Sequence, residues 1–199
     1  MKFQRSYALD DITIRSGDGR TVEAYAAVFD TPAEIHDRQG HYLERIARSA
    51  FDATLAERGT SVGVFYNHGL TISGTPSDSG SLPIGKPLEI RADSRGLFTV
   101  TQYAATPRVD ELLELIRMGA ITAQSFAGKF VASTPDRTRF SPDTSGNLTT
   151  VTRTAIDLTE YGPTPNPAYK AAQIVGVRND LCASNRSTQA RWLRRKFSA

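Results

Sequence analysis

The chain of 199 residues has one cysteine, Cys182, and one tryptophan. A lone cysteine excludes an internal disulfide framework and a thiolate-based zinc site. It also fits a reducing compartment. There are only three histidines, His36, His41 and His68. No two of them stand at the i, i+4 spacing of a helical metal site, which argues against a histidine-based zinc centre. No run approaches the roughly 20 apolar residues of a membrane span. No apolar stretch follows the charges of Met1–Ser6, which argues against a secretory signal. A glycine-rich phosphate loop is also missing, because Gly17 and Gly19 precede a strand-like run and not a helix. The sequence therefore gives no reason to expect a cofactor, a metal or a membrane.

What charge there is sits in one place. The net charge is +3, with 24 basic and 21 acidic residues. Arg186, Arg191, Arg194, Arg195 and Lys196 all follow Asp180, and no acidic residue lies among them. Without that stretch the balance is −2. A near-neutral body argues against nucleic acid as the partner. The length suits one domain, so we divide the chain into a domain over 1–178 and a basic tail over 179–199.

The body reads as strands joined by short turns. Ile12–Arg15 alternates and leads into the turn Ser16-Gly17-Asp18-Gly19. Thr21–Phe29 and Tyr42–Ile46 are two further β-type runs. A short helix is expected from a Ser49 cap to a Gly59 stop. Ser61–His68 reads as the next strand, followed by a polar loop, Thr71–Ser81. Pro87–Arg91 and Leu97–Thr101 flank Ser94-Arg95-Gly96 as a hairpin. Val109, Leu112, Leu113 and Ile116 have the spacing of a buried helical stripe. Thr106, Pro107 and Gly119 punctuate that helix. Ile121–Val131 and Leu148–Ile156 are strands, the latter running on to Tyr161. Pro163–Pro167 should interrupt any central strand, and Ala171–Val177 is a last candidate strand. Hairpins dominate and βαβ alternation is missing. The expected class is α+β: β-rich, mostly antiparallel, with a barrel-like sheet and a few helices packed outside.

Three residues have settings suited to chemistry. His68 ends an apolar run just before Gly69 and a polar loop, whereas His36 and His41 lie in a polar segment and read as surface residues. Ser125 lies mid-strand with Ala123 and Ala127 as its same-face neighbours, and Gly128 allows a second backbone to come close. A serine hydroxyl needs a base within hydrogen-bond reach, and that base is oriented by a third group. Glu160 and Asp157, near the end of a late strand, are the two carboxylates that suit this role. Taken one at a time, each of these residues is more often structural.

The order of segments resembles the prohead maturation proteases of tailed phages, which share a fold with the herpesvirus assemblin proteases. The matching segments are Val22–Phe29, Tyr42–Ile46 with Ser49-Ala50-Phe51, Val64-Phe65-Tyr66-Asn67-His68, Gly85, Gly96-Leu97, Glu111–Gly119 with Ser125-Phe126, and Leu158-Thr159-Glu160 through Pro165-Asn166-Pro167-Ala168. The resemblance implies Ser125 as nucleophile, His68 as general base and Glu160 as third member, with Asp157 as the fallback. It implies a serine endopeptidase that cuts the scaffolding segment of the major capsid protein and also itself, with a homodimer as one state. The place implied is the assembling prohead in the bacterial host cytoplasm. The alternative is an inactive capsid-assembly module of the same fold. Ser49, Gln124, the glycine delayed to Gly128, and Tyr161-Gly162 depart from the family pattern.

Overall fold

The computed structural model describes residues 2–8, 12–14, 19–71, 73–136, 139–142 and 145–165. The turn at 16–18, the candidate strand Ala171–Val177 and the basic tail 179–199 lie outside the described residues. Among the described residues, ten strands and two helices form in the order β1 (Lys2–Ala8), β2 (Thr13–Ile14), β3 (Thr21–Val28), β4 (Ala33–Asp37), β5 (Gly40–Ile46), α1 (Asp52–Arg58), β6 (Gly63–Val64), β7 (Gly85–Ala92), β8 (Gly96–Tyr103), α2 (Pro107–Arg117), β9 (Ala123–Thr134) and β10 (Thr150–Thr164). No helix among the described residues is long and apolar enough to cross a membrane.

The α+β, strand-rich expectation holds, but the barrel does not. The strands form two separate sheets, one ordered β1-β9-β10-β5-β4 with β6 beside β10, and one ordered β2-β3-β8-β7. Closing a barrel requires an unbroken ladder of hydrogen bonds around the ring. Here β1 and β4 end one sheet, and β2 and β7 end the other. Counting strands and turns does not reveal which edges meet. Most pairs are antiparallel as expected, but β5 and β6 both join β10 in parallel.

The core lies between the sheets. Val22, Ala24 and Leu97 come from the smaller sheet, and Phe126, Val151, Ile156 and Tyr161 from the larger. In α2 the stripe Val109, Leu112, Leu113 and Ile116 is buried as its spacing requires, with Thr106 at the N-cap and Pro107 in the first turn. Helix α1 starts later than expected. Phe51 holds its N-cap position without a side-chain bond. Its ring packs edge-on to Phe126 at 5.4 Å and near Phe29 at 6.2 Å. Burying that ring, and not a Ser49 cap, sets where the helix begins.

Strand β10 is the spine of the fold. It pairs with β9 along its length, with β5 at its start and with β6 near its end. It also runs through Pro163, against expectation. Pro163 pairs with Gln124 of β9, while pairing with β6 stops at Tyr161. The proline therefore sits where the strand has become an edge on one side, the place a sheet tolerates a missing N–H.

Candidate active site

The site is built on the face of β9 and β10 turned away from the smaller sheet. Phe126 and Tyr161 are register partners and face the core. The Tyr161 hydroxyl meets Thr101 Oγ1 at 2.5 Å, and Gln124 Nε2 donates to Thr99 Oγ1 at 3.0 Å, both across to β8. Side chains alternate along a strand. Ser125 therefore faces the other way with Ala123 and Ala127. Its register partner there is Gly162, and that of Ala127 is Glu160. The pleat puts Ser125 and Glu160 on one face, where the serine's neighbours along β9 are Ala123 and Ala127 and its partner across on β10 is Gly162. Ser125 is fully buried.

Three glycines make this arrangement fit. A side chain at Gly162 would begin 1.9 Å from the Phe65 carbonyl oxygen. Glycine at 162, a departure from the family pattern, is thus required by the close passage of the Phe65 backbone. Phe65 N donates to Tyr161 O there at 3.0 Å. At Gly63, a Cβ would lie 2.5 Å from the Phe65 ring and 3.3 Å from Glu160 Cβ. Gly128 likewise admits another backbone, since a Cβ there would lie 2.3 Å from Asp157 O.

His68 is not the end of a strand, as the alternation from Ser61 suggested. Strand β6 stops at Val64, and Tyr66–Gly69 form a 3₁₀ turn. Three successive residues, Asn67, His68 and Gly69, have left-handed φ of 48°, 59° and 70°. Two of these are not glycine, a conformation that costs of order 1–3 kcal/mol each and persists only when neighbours enforce it. Asn67 supplies much of that enforcement. Its Nδ2 donates to Leu70 O at 3.0 Å and Thr71 O at 3.3 Å. Its Oδ1 accepts from Thr164 Oγ1 at 3.0 Å, at the end of β10. Behind the turn, Ser77 N donates to Gly69 O at 3.1 Å, and Gly80 N to Ser77 Oγ at 3.1 Å. The polar loop after His68 is thereby bonded back onto the turn.

The turn brings the imidazole to β10. His68 Nδ1 lies 2.6 Å from Glu160 Oε1, with the two side chains 7% and 11% exposed. Glu160 accepts, so Nδ1 carries the proton and Nε2 of the neutral ring holds the lone pair. Among the described residues, His68 Nε2 and Glu160 Oε2 are buried without a hydrogen-bond partner. Ser125 Oγ is therefore not bonded to Nε2 in this structure. Asp157, the fallback carboxylate, is engaged elsewhere, with its Oδ1 2.7 Å from Arg58 Nη2. His36 and His41 lie on the β4–β5 hairpin as a surface pair.

Asn67, Gly63 and Thr164 were not singled out in the sequence. Asn67 was findable, since Asn-His-Gly joins the residue types that best tolerate left-handed φ. Nothing local marks Thr164, because its partner lies 97 residues away.

A buried imidazole–carboxylate pair beside a strand bearing a buried serine is the layout used by serine hydrolases. Comparison with known proteins narrows this class. The family model described as caudovirus prohead serine protease matches residues 9–187, and the chain belongs to that family. It is accordingly a serine peptidase of phage capsid maturation by family. No curated protein sequence matches it. Among solved structures, the bacteriophage T4 capsid assembly protease gp21 is similar at 10% identity and a TM-score of 0.45, covering 83% of this chain and 98% of that one.

Proposed function

We propose that the chain is a serine endopeptidase working through Ser125, His68 and Glu160. The observation that carries this reading is the His68 Nδ1–Glu160 Oε1 bond of 2.6 Å, on the strand face shared with Ser125. In the reaction, Ser125 Oγ attacks the scissile carbonyl carbon as its proton passes to His68 Nε2. Glu160 keeps the proton on Nδ1, so that Nε2 is the base, and stabilises the imidazolium once formed. Collapse of the tetrahedral oxyanion breaks the C–N bond, and Nε2 gives its proton to the leaving amine. Water then hydrolyses the acyl-serine by the same base. Ser125 Oγ has to meet Nε2 for the first step, and catalytic hydrogen bonds are often long before substrate binds.

The substrates in this reading are the scaffolding segment of the major capsid protein and the protease's own chain, cut inside the assembling prohead in the host cytoplasm. Co-expression with the capsid protein, followed by mass spectrometry, should yield trimmed capsid protein. Ser125→Ala should yield none, and trimming that survives this substitution would remove Ser125 from its role. The full burial of Ser125 favours one second reading, a non-catalytic assembly module. A chain that supports prohead assembly yet is never labelled by a fluorophosphonate would be that module.

A further inference from the structure

We propose that the β4–β5 hairpin carries a divalent-metal site made by Glu34, His36 and His41, taking zinc or a similar borderline transition metal. The hairpin fixes the three side chains on one face. Glu34 and His36 are two apart on β4, and His36 is the register partner of His41 on β5. The two rings stack with centroids 3.6 Å apart and planes at 25°. Both histidines turn the same nitrogen to the same oxygen: His41 Nε2 is 2.6 Å from Glu34 Oε1, and His36 Nε2 is 3.8 Å from it. One ligand atom from each residue lies within 4.8 Å of the others.

This convergence serves a cation better than it serves protons. A hydrogen bond to Oε1 is made by His41 alone, and His36 stands beyond reach of it. A metal ion takes a lone pair from each nitrogen and from the carboxylate at once. Bonds of about 2.0–2.2 Å to such a set are those of zinc. Imidazole donors select zinc, copper, nickel or iron over magnesium and calcium. Binding requires the rings to tilt out of their stack so that both lone pairs meet at one point. The side chains are 59%, 69% and 32% exposed, so their tips move at little cost while the paired backbone holds still. Three protein ligands leave a fourth position open to solvent. Helical spacing missed this set because the two histidines oppose each other across a hairpin.

The test uses the full chain, stripped of metal and titrated with Zn²⁺ by calorimetry, with histidine ring signals followed by NMR. One Zn²⁺ per chain should bind, and the His36 and His41 ring signals should shift together while those of His68 stay. His36→Gln and His41→Gln should each weaken binding at least tenfold, about the least that loss even of a supporting group costs. An unchanged circular dichroism spectrum keeps the comparison to ligands and not folding. Failure of Zn²⁺ to bind at millimolar concentration, or unaltered binding in the double variant, would overturn the proposal.

Discussion

Strand β10 buries a polar pair toward each end, and the two pairs are finished differently. Near its start, Arg153 Nε lies 2.7 Å from Glu44 Oε2, with both side chains at most 2% exposed. The guanidinium also donates to Ser133 Oγ at 3.0 Å, to Gln39 Oε1 at 2.8 Å and to the Tyr42 hydroxyl at 2.8 Å. It packs over the Phe130 ring at 3.8 Å. Near the other end, the His68–Glu160 pair makes one short bond and leaves one buried atom on each partner without a hydrogen bond. Its histidine is also held at a left-handed φ. An unsatisfied buried polar group costs about 1–3 kcal/mol. A pair kept for stability is finished like Arg153–Glu44. A pair that keeps an open Nε2 and a strained turn is paid for by the rest of the fold and fits a reacting site.

The largest expected effect tests the open pair. Glu160→Gln keeps the size of the side chain but loses the carboxylate that fixes the imidazole proton. Cleavage of the capsid protein should fall by roughly 10⁴-fold, with the thermal midpoint near that of the parent. Peptidase assay and melting curve, measured together, read both. A large loss of stability with activity per folded molecule intact would make this pair structural and erase the contrast.

Arg153→Met should do the reverse. It leaves Glu44 buried without its cation, a change that costs about 3–5 kcal/mol. Denaturant unfolding should show that loss, while the folded fraction still cleaves. Replacing Glu44 by Met as well should recover part of it, since an apolar pair of similar volume is often neutral.

A smaller effect follows from Tyr161, the neighbour of Glu160 that faces the core. Burial is the main cause pushing its hydroxyl up to about 12, partly offset by the hydrogen bond with Thr101. The raised value means that the folded state disfavours the phenolate. Tyr161 thus costs nothing below pH 10, its ordinary value, and lowers stability as pH rises from 10 toward 12, by at most about 1.4 kcal/mol per pH unit. Buried Tyr103 is raised in the same direction. Tyr161→Phe should flatten the alkaline fall in melting temperature, and an unchanged slope would assign that fall to other groups.

How much of this contrast was legible in sequence differs between the pairs. Ser125 and His68 stood out as candidates from their local settings and the resemblance to a known family added Glu160 beside them, while α2 was legible because its stripe is local. The strained turn at Asn67–Gly69 was hidden by an alternation, Val62, Val64, Tyr66 and His68, that mimics a strand. The Arg153–Glu44 pair was hidden because its partners are 109 residues apart, and no local pattern marks a charge as buried. The open sheets were unreadable for the same reason, since edge pairing is a long-range choice.

The smallest expected effect decides between two carboxylates three residues apart. Asp157 and Glu160 are both on β10 beside Ser125's strand, and sequence alone leaves either as third member. The structure separates them by their partners. Glu160 meets His68, whereas Asp157 meets Arg58 with side chains 31% and 34% exposed. The β-bulge between Leu158 and Glu160 shifts the register between them. Solvent-screened pairs of this kind are worth about 0–1 kcal/mol. Asp157→Asn should therefore leave cleavage within about twofold of the parent and shift the melting midpoint only slightly, set against the roughly 10⁴-fold loss expected for Glu160→Gln. If Asp157→Asn abolished cleavage and Glu160→Gln did not, the third role would pass to Asp157, and the imidazole would have to leave its bond with Glu160 in the active state.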